Sequence, residues 1–200
     1  MAAAHRCLLV LLACDLLACD APAEPEPEPA PEVADLEACA PAAMWPAEWT
    51  AAEVAVLAEI NATRAEGGLC GGLQFDPVPP LRMDPTLRCA ARLHTLDMIA
   101  RQYVSSIDPD GVTVGTRLFD LGYAAAIYSE VVNVVTETVA DPEDDAHDAV
   151  VAWRDNLASC WQLRARELTA VGIGGQPGMF TPKDKDPTPS TYWTLTVATP

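Results

Sequence analysis

The chain has 200 residues, 29 of them acidic and 12 basic, for a net charge of −17. A polyanion repels phosphates and anionic headgroups, which argues against nucleic acid and against direct binding to an anionic membrane surface. Half the residues are hydrophobic, many of them alanine, enough for one modest core in a single domain with appendages.

Residues 1–18 read as a targeting segment. Arg6 supplies the positive end, and Cys7 to Ala18 is apolar apart from Asp15. The run is shorter than the ~20 residues of a membrane span. Leu16-Leu-Ala-Cys19 looks like a bacterial lipobox, with Cys19 as the lipidated residue; Leu11-Leu-Ala-Cys14 matches as well. Cys19 is preferred because cleavage before Cys14 leaves a very short apolar region. An ordinary secretory signal with incidental cysteines is the alternative. Residues 19–38 follow as an acidic tether built around Glu24-Pro-Glu-Pro-Glu-Pro29. Proline removes donors and the carboxylates repel, so Ala21 to Glu37 is expected to be extended, roughly 50 Å at ~3.1 Å per residue. Residues 39–200 remain as the folded domain.

Four cysteines, at 39, 70, 89 and 160, lie beyond the signal. An even number in a secreted context predicts two disulfides, with three connectivities open. No Cys-x-x-Cys spacing supports a metal site instead.

Thr50-Ala-Ala-Glu53 has the pattern of a capping box opening a helix, with Val56, Leu57 and Ile60 on one face and Gly67-Gly68 as its end. Asp84-Pro85 starts a second helix whose inner stripe is Leu87, Ala90/Ala91, His94 and Met98. His94 is thus read as a core-facing histidine; as a catalytic base it has no partner in the local sequence. Asp108-Pro-Asp-Gly111 is a turn, and Thr116 to Leu121 a short helix. Ala124 to Val139 is rich in β-branched residues and includes a strand. Asp141-Pro142 opens another helix with Ala146, Ala149/Val150 and Trp153 inside and His147 outside. Thr169 to Gly174 reads as a strand, Gly175 to Ser190 as a mobile surface loop, and Trp193 to Val197 as a half-buried strand.

Four stretches carry a resemblance: Tyr103-Val-Ser-Ser-Ile-Asp-Pro-Asp-Gly111, Ser129-Glu130, Trp153 to Ser159-Cys160, and Val171-Gly-Ile-Gly174. Together they resemble the signature of bacterial CAP domains, the superfamily of cysteine-rich secretory proteins, antigen 5 and pathogenesis-related proteins, over Ala51 to Ala198. The resemblance implies an α+β fold, a three-layer α-β-α sandwich, and it pairs Cys70 with Cys160 and Cys39 with Cys89. In the family two histidines and a glutamate meet in one cavity and can hold zinc. Here Ser106 and Ser159 stand at the histidine positions and Glu130 at the glutamate. Ser129 and Val131 replace the glycine and asparagine that flank it.

A neutral hydroxyl is a poor zinc ligand, so the expectation is no metal and no cofactor. The chain is then a secreted CAP module with a degenerate cavity that binds an unknown lipid, glycan or envelope protein, touching a membrane only through its anchor. A hydrolase with an altered Ser/Glu site is the alternative, and needs a base beside Ser106 or Ser159. Trp161, just after Cys160, is the best single residue for ligand contact if it lies exposed at the cavity.

Overall fold

The computed structural model describes residues 33–136 and 141–200. Cys19 and residues 19–32 of the tether lie outside the described residues. In chain order the elements are α1 (Ala40–Ala43), α2 (Ala47–Glu66), β1 (Gly68–Cys70), β2 (Leu73–Phe75), β3 (Arg82–Met83), α3 (Pro85–Arg101), α4 (Val114–Asp120), β4 (Ile127–Thr136), α5 (Pro142–Asp155), α6 (Leu157–Arg164), β5 (Ala170–Phe180) and β6 (Thr188–Thr199). Among the described residues no helix is long and apolar enough to cross a membrane.

Local chemistry sets several helix starts. The Asp84 carboxylate accepts from the N–H groups of Thr86 and Leu87, and Pro85 fills the first helical position of α3. Asp141 caps α5 in the same way, accepting from Glu143. The capping box at Thr50 and Glu53 does not form. Pro46 is the cap of α2, and Thr50 N–H already donates to its carbonyl. Trp49 packs against Trp193, with ring centroids 6.0 Å apart, which draws the helix start back by one turn. Glu53 is buried in an ion cluster instead.

The main sheet has the order β3-β5-β6-β4. β5 and β6 pair antiparallel from Ala170–Ala198 to Phe180–Thr188, and β6 pairs with β4 along the whole of β4. The stretch expected as a mobile loop from Gly175 to Ser190 is therefore mostly hairpin. Its turn-forming residues, Thr181 to Pro187, occupy only the tip. Nor is β6 half-buried. Trp193, Leu195 and Val197 face the cluster formed with Trp49, Val56 and Ile60 of α2 and Val150 and Trp153 of α5. Thr194 and Thr196 point the other way and are also fully buried. Residues alternate across a strand, so helices cover both faces, α2 and α5 on one and α3 on the other. This is the α-β-α sandwich.

The α3 face is packed through glycine. A Cβ at Gly172 would lie 1.9 Å from the carbonyl carbon of Leu87, and one at Gly174 2.7 Å from Arg92 N. The helix backbone thus rests directly on β5. Gly172→Ala is expected to push α3 off the sheet at a cost of about 3 kcal/mol, the upper end of ordinary overpacking. Denaturant unfolding measures it; a loss under about 1 kcal/mol would show that α3 has room to move.

Two disulfides lock the periphery, Cys39–Cys89 onto α3 and Cys70–Cys160 between the β1–β2 hairpin and α6. These are the pairs that the resemblance implied.

Candidate functional site

Sheet register places the central carboxylate. Gly172, Thr196 and Glu130 lie in one row across β5, β6 and β4. Gly172 admits α3, Thr196 Oγ1 donates to Glu130 Oε2 (3.0 Å), and His94 of α3 brings Nδ1 to 2.9 Å from Glu130 Oε1. That contact lies off the axis of a straight N–H donor, so it is a close electrostatic pairing rather than an aligned hydrogen bond. Both side chains are buried.

The strongest partner of Glu130 is Arg117, whose Nη2 donates to Oε1 at 2.6 Å. Arg117 stands on α4, capped by Thr113, whose hydroxyl accepts from Thr116 N–H. Its guanidinium also donates to the carbonyls of Ser106 (2.9 Å) and Val112 (3.1 Å). One side chain thus fastens the 106–112 loop to the carboxylate. The loop is closed by Asp108, which accepts from the N–H groups of Asp110 and Val112. Gly111, at φ +84°, sits in the left-handed region that the turn requires.

Beside His94 a second group forms. Arg101 donates to Asp97 (2.6 Å), Asp108 (2.8 Å) and Asp110 (2.7 Å), and the Tyr103 hydroxyl donates to Asp97 (2.5 Å). Burial raises the Asp97 carboxyl, but the bonds from Arg101 and Tyr103 outweigh it and hold it below its ordinary value. Asp108 is lowered too: burial works against it, but the Val112 amide and Arg101 prevail. Both carboxylates are therefore ionised at neutral pH. The Tyr103 phenol is pushed up by burial and by its bond to Asp97.

Of the residues singled out in the sequence, Glu130 is at the centre of this cluster. Among the described residues, Ser106 reaches it through its carbonyl, which accepts from Arg117. Ser159 stands at the start of α6, where its N–H and hydroxyl both donate to Asn156 Oδ1. None of its bonds among the described residues reaches Glu130. Trp161 is 45% exposed, but it packs edge-to-face on Phe75 and lines hollows beside Arg164, Asn156 and Ser129 rather than the one beside His94. His94 is core-facing as read, yet its partner comes from β4. Arg117 and Thr196 were missed. The one usable signal was a lone cation on the short helix after the turn.

The zinc that the family's cavity can hold does not fit these residues. Glu130 Oε1 is held by Arg117 and Oε2 by Thr196, so a divalent cation would face a guanidinium. Among the described residues no three His, Cys, Asp or Glu side chains converge as a metal-holding group.

The model of the cysteine-rich secretory protein family, CAP, matches residues 57–194. The chain belongs to this family. An extracellular protein with an SCP domain from Bacillus anthracis str. Ames has a similar CAP fold, with a TM-score of 0.55 and 19% identity over 75% of this chain. The match covers 41% of that structure, so this CAP chain spans less than half of it. An outer surface protein from Borrelia burgdorferi follows at TM-score 0.48, 14% identity, over 72% of this chain and 92% of that one. NaASP2, solved with Zn2+, gives 0.46 and 11% over 73% and 78%. No curated protein matches the chain.

Proposed function

We propose that this CAP domain is a secreted binding module, held to a bacterial envelope by a lipid on Cys19 and the acidic tether, and that its cavity works without a metal. The observation that carries the reading is Arg117 at 2.6 Å from Glu130. A guanidinium is always charged and forms its bonds in a fixed fork, so it occupies the electrostatic position a metal would take. Two disulfides support an oxidising compartment. The hydrolase reading needs a serine beside a base, and the hydrogen bonds of Glu130 run to Arg117 and Thr196 instead, with His94 in close contact.

Zinc titration of the full chain by calorimetry at neutral pH tests this. The expected result is no binding tighter than several hundred micromolar, about −4 to −5 kcal/mol. Stoichiometric micromolar binding that disappears in Glu130→Ala would overturn the metal-free reading.

A further inference from the structure

A cavity of about 290 Å3 lies outside the Glu130 row, between α3, α4 and the N-terminal segment. Its apolar walls are Ala90, Leu93, Val112 and Leu121. Ala38 closes one side, and the Cys39–Cys89 disulfide staples that wall to α3. Ala38 precedes the span that the family model matches, 57–194.

Three carboxylates, Asp97, Asp108 and Asp120, share the cavity with one imidazole and one guanidinium. The Arg117 charge is matched by Glu130, and Arg101 offsets one of the Asp97 and Asp108 pair. The Asp120 carboxylate makes no hydrogen bond or ion pair among the described residues. The balance is negative. His94 adds a specific feature. Its Nδ1 lies 2.9 Å from Glu130 Oε1, too close for two bare acceptors, so even off the N–H axis the proton of the neutral ring belongs on Nδ1 and Nε2 carries the lone pair. Nε2 is buried and has no partner among the described residues, while the ring lines the cavity. A buried acceptor without a donor is costly unless a ligand supplies one.

We propose that this cavity binds a small aliphatic ammonium ion, with an N–H donating to His94 Nε2, the alkyl stem against Leu93 and Leu121, and Asp120 meeting the charge. The proposal rests on the metal-free reading above. An anion of the same shape would face the carboxylates, and a neutral alcohol would satisfy Nε2 but gain nothing from Asp120. The volume stands at the small end of ligand sites, ~300–1,000 Å3, which suits a stem of a few carbons. The net charge of −17 draws cations to the surface.

The test is calorimetry on the full chain with 1,5-diaminopentane in the presence of a chelator, beside 1-pentanol and pentanoate. Saturable one-to-one binding is expected for the diamine, at least tenfold weaker binding for the alcohol, and none for the acid. Asp120→Asn, at the exposed end of α4, should weaken the diamine about tenfold. The 15N signal of His94 Nε2 should move on binding. No saturable binding overturns the proposal, as does binding indifferent to Asp120→Asn that leaves the His94 signal still, since that describes a diffuse acidic surface. A zinc arm separates the two claims. Zinc binding sinks the metal-free reading, whereas silence from both zinc and diamine sinks this inference alone.

Discussion

Glu53→Ala is expected to cost the fold about 3–5 kcal/mol, the loss that follows when one member of a buried ion cluster is removed. Glu53 is fully buried, and Arg88 and Arg92 beside it are nearly so. Arg88 holds Oε2 through two nitrogens, at 2.6 and 2.8 Å, and Arg92 reaches both carboxylate oxygens, at 2.7 and 3.0 Å. Arg92 also donates to Ala42 O and to Thr50, and stacks over Trp45 at 4.8 Å. One carboxylate therefore joins α1, α2 and α3 at the edge of β5, where Gly175 N–H points to it as well. Burial raises the Glu53 carboxyl, against the pull of Arg92 and Arg88. Alanine would take from two buried guanidiniums the carboxylate that they share. At a urea slope of ~2 kcal/mol/M the unfolding midpoint falls by about 2 M. Glu53→Gln keeps the shape but not the charge, so comparing the two separates packing from electrostatics. A loss below about 1 kcal/mol for Glu53→Ala would mean that the cluster is a consequence of packing and does not hold the helices together.

The same glutamate shows where local reading ends. Thr50 and Glu53 have capping-box spacing, but the arginines that claim Glu53 lie 35 and 39 residues further on. Asp84-Pro85 and Asp141-Pro142 were legible because their partners are the next two or three amides. Gly175 to Ser190 has loop composition, yet its outer residues pair because β5 and β6 continue past the covered region. Thr194 and Thr196 look solvent-facing by alternation, and are buried because α3 covers the second face through Gly172 and Gly174. The site follows the same rule. Glu130 was reached through a motif; Thr196 is its partner by register, and Arg117 by the placement of α4. Neither relation is written in residue spacing. At Ser159 a motif position pointed to the cavity, and the hydroxyl is held by Asn156, three residues earlier.

Removing the Cys70–Cys160 bridge, by Cys70→Ser together with Cys160→Ser, is expected to cost about 2–5 kcal/mol. The bridge spans 90 residues, and closing a loop of that length restricts the unfolded chain by an amount near 4.6 kcal/mol in the chain-entropy estimate, about 2–4 °C in Tm for each kcal/mol. The folded state loses something too. Arg164 donates to Cys160 Sγ and to Gly67 O, and Leu157 lies against Gly71, so the bridge is the centre of the contact between α6 and the β1–β2 hairpin. Its loop overlaps the one closed by Cys39–Cys89, since residue 70 lies between 39 and 89. The two bridges therefore constrain one another's loops, and their removal should not be additive. Thermal unfolding with and without reductant, beside the double-serine variant, measures the effect; an unchanged Tm in both would show that neither the chain restriction nor the hairpin contact matters to stability. Among the described residues, none of the bonds of Ser159 or Trp161 reaches the Glu130 cluster. The variant should lose stability while keeping the Glu130, Arg117 and Thr196 bonds intact, and the stapled N-terminal wall at Cys39 should remain in place to the unfolding midpoint.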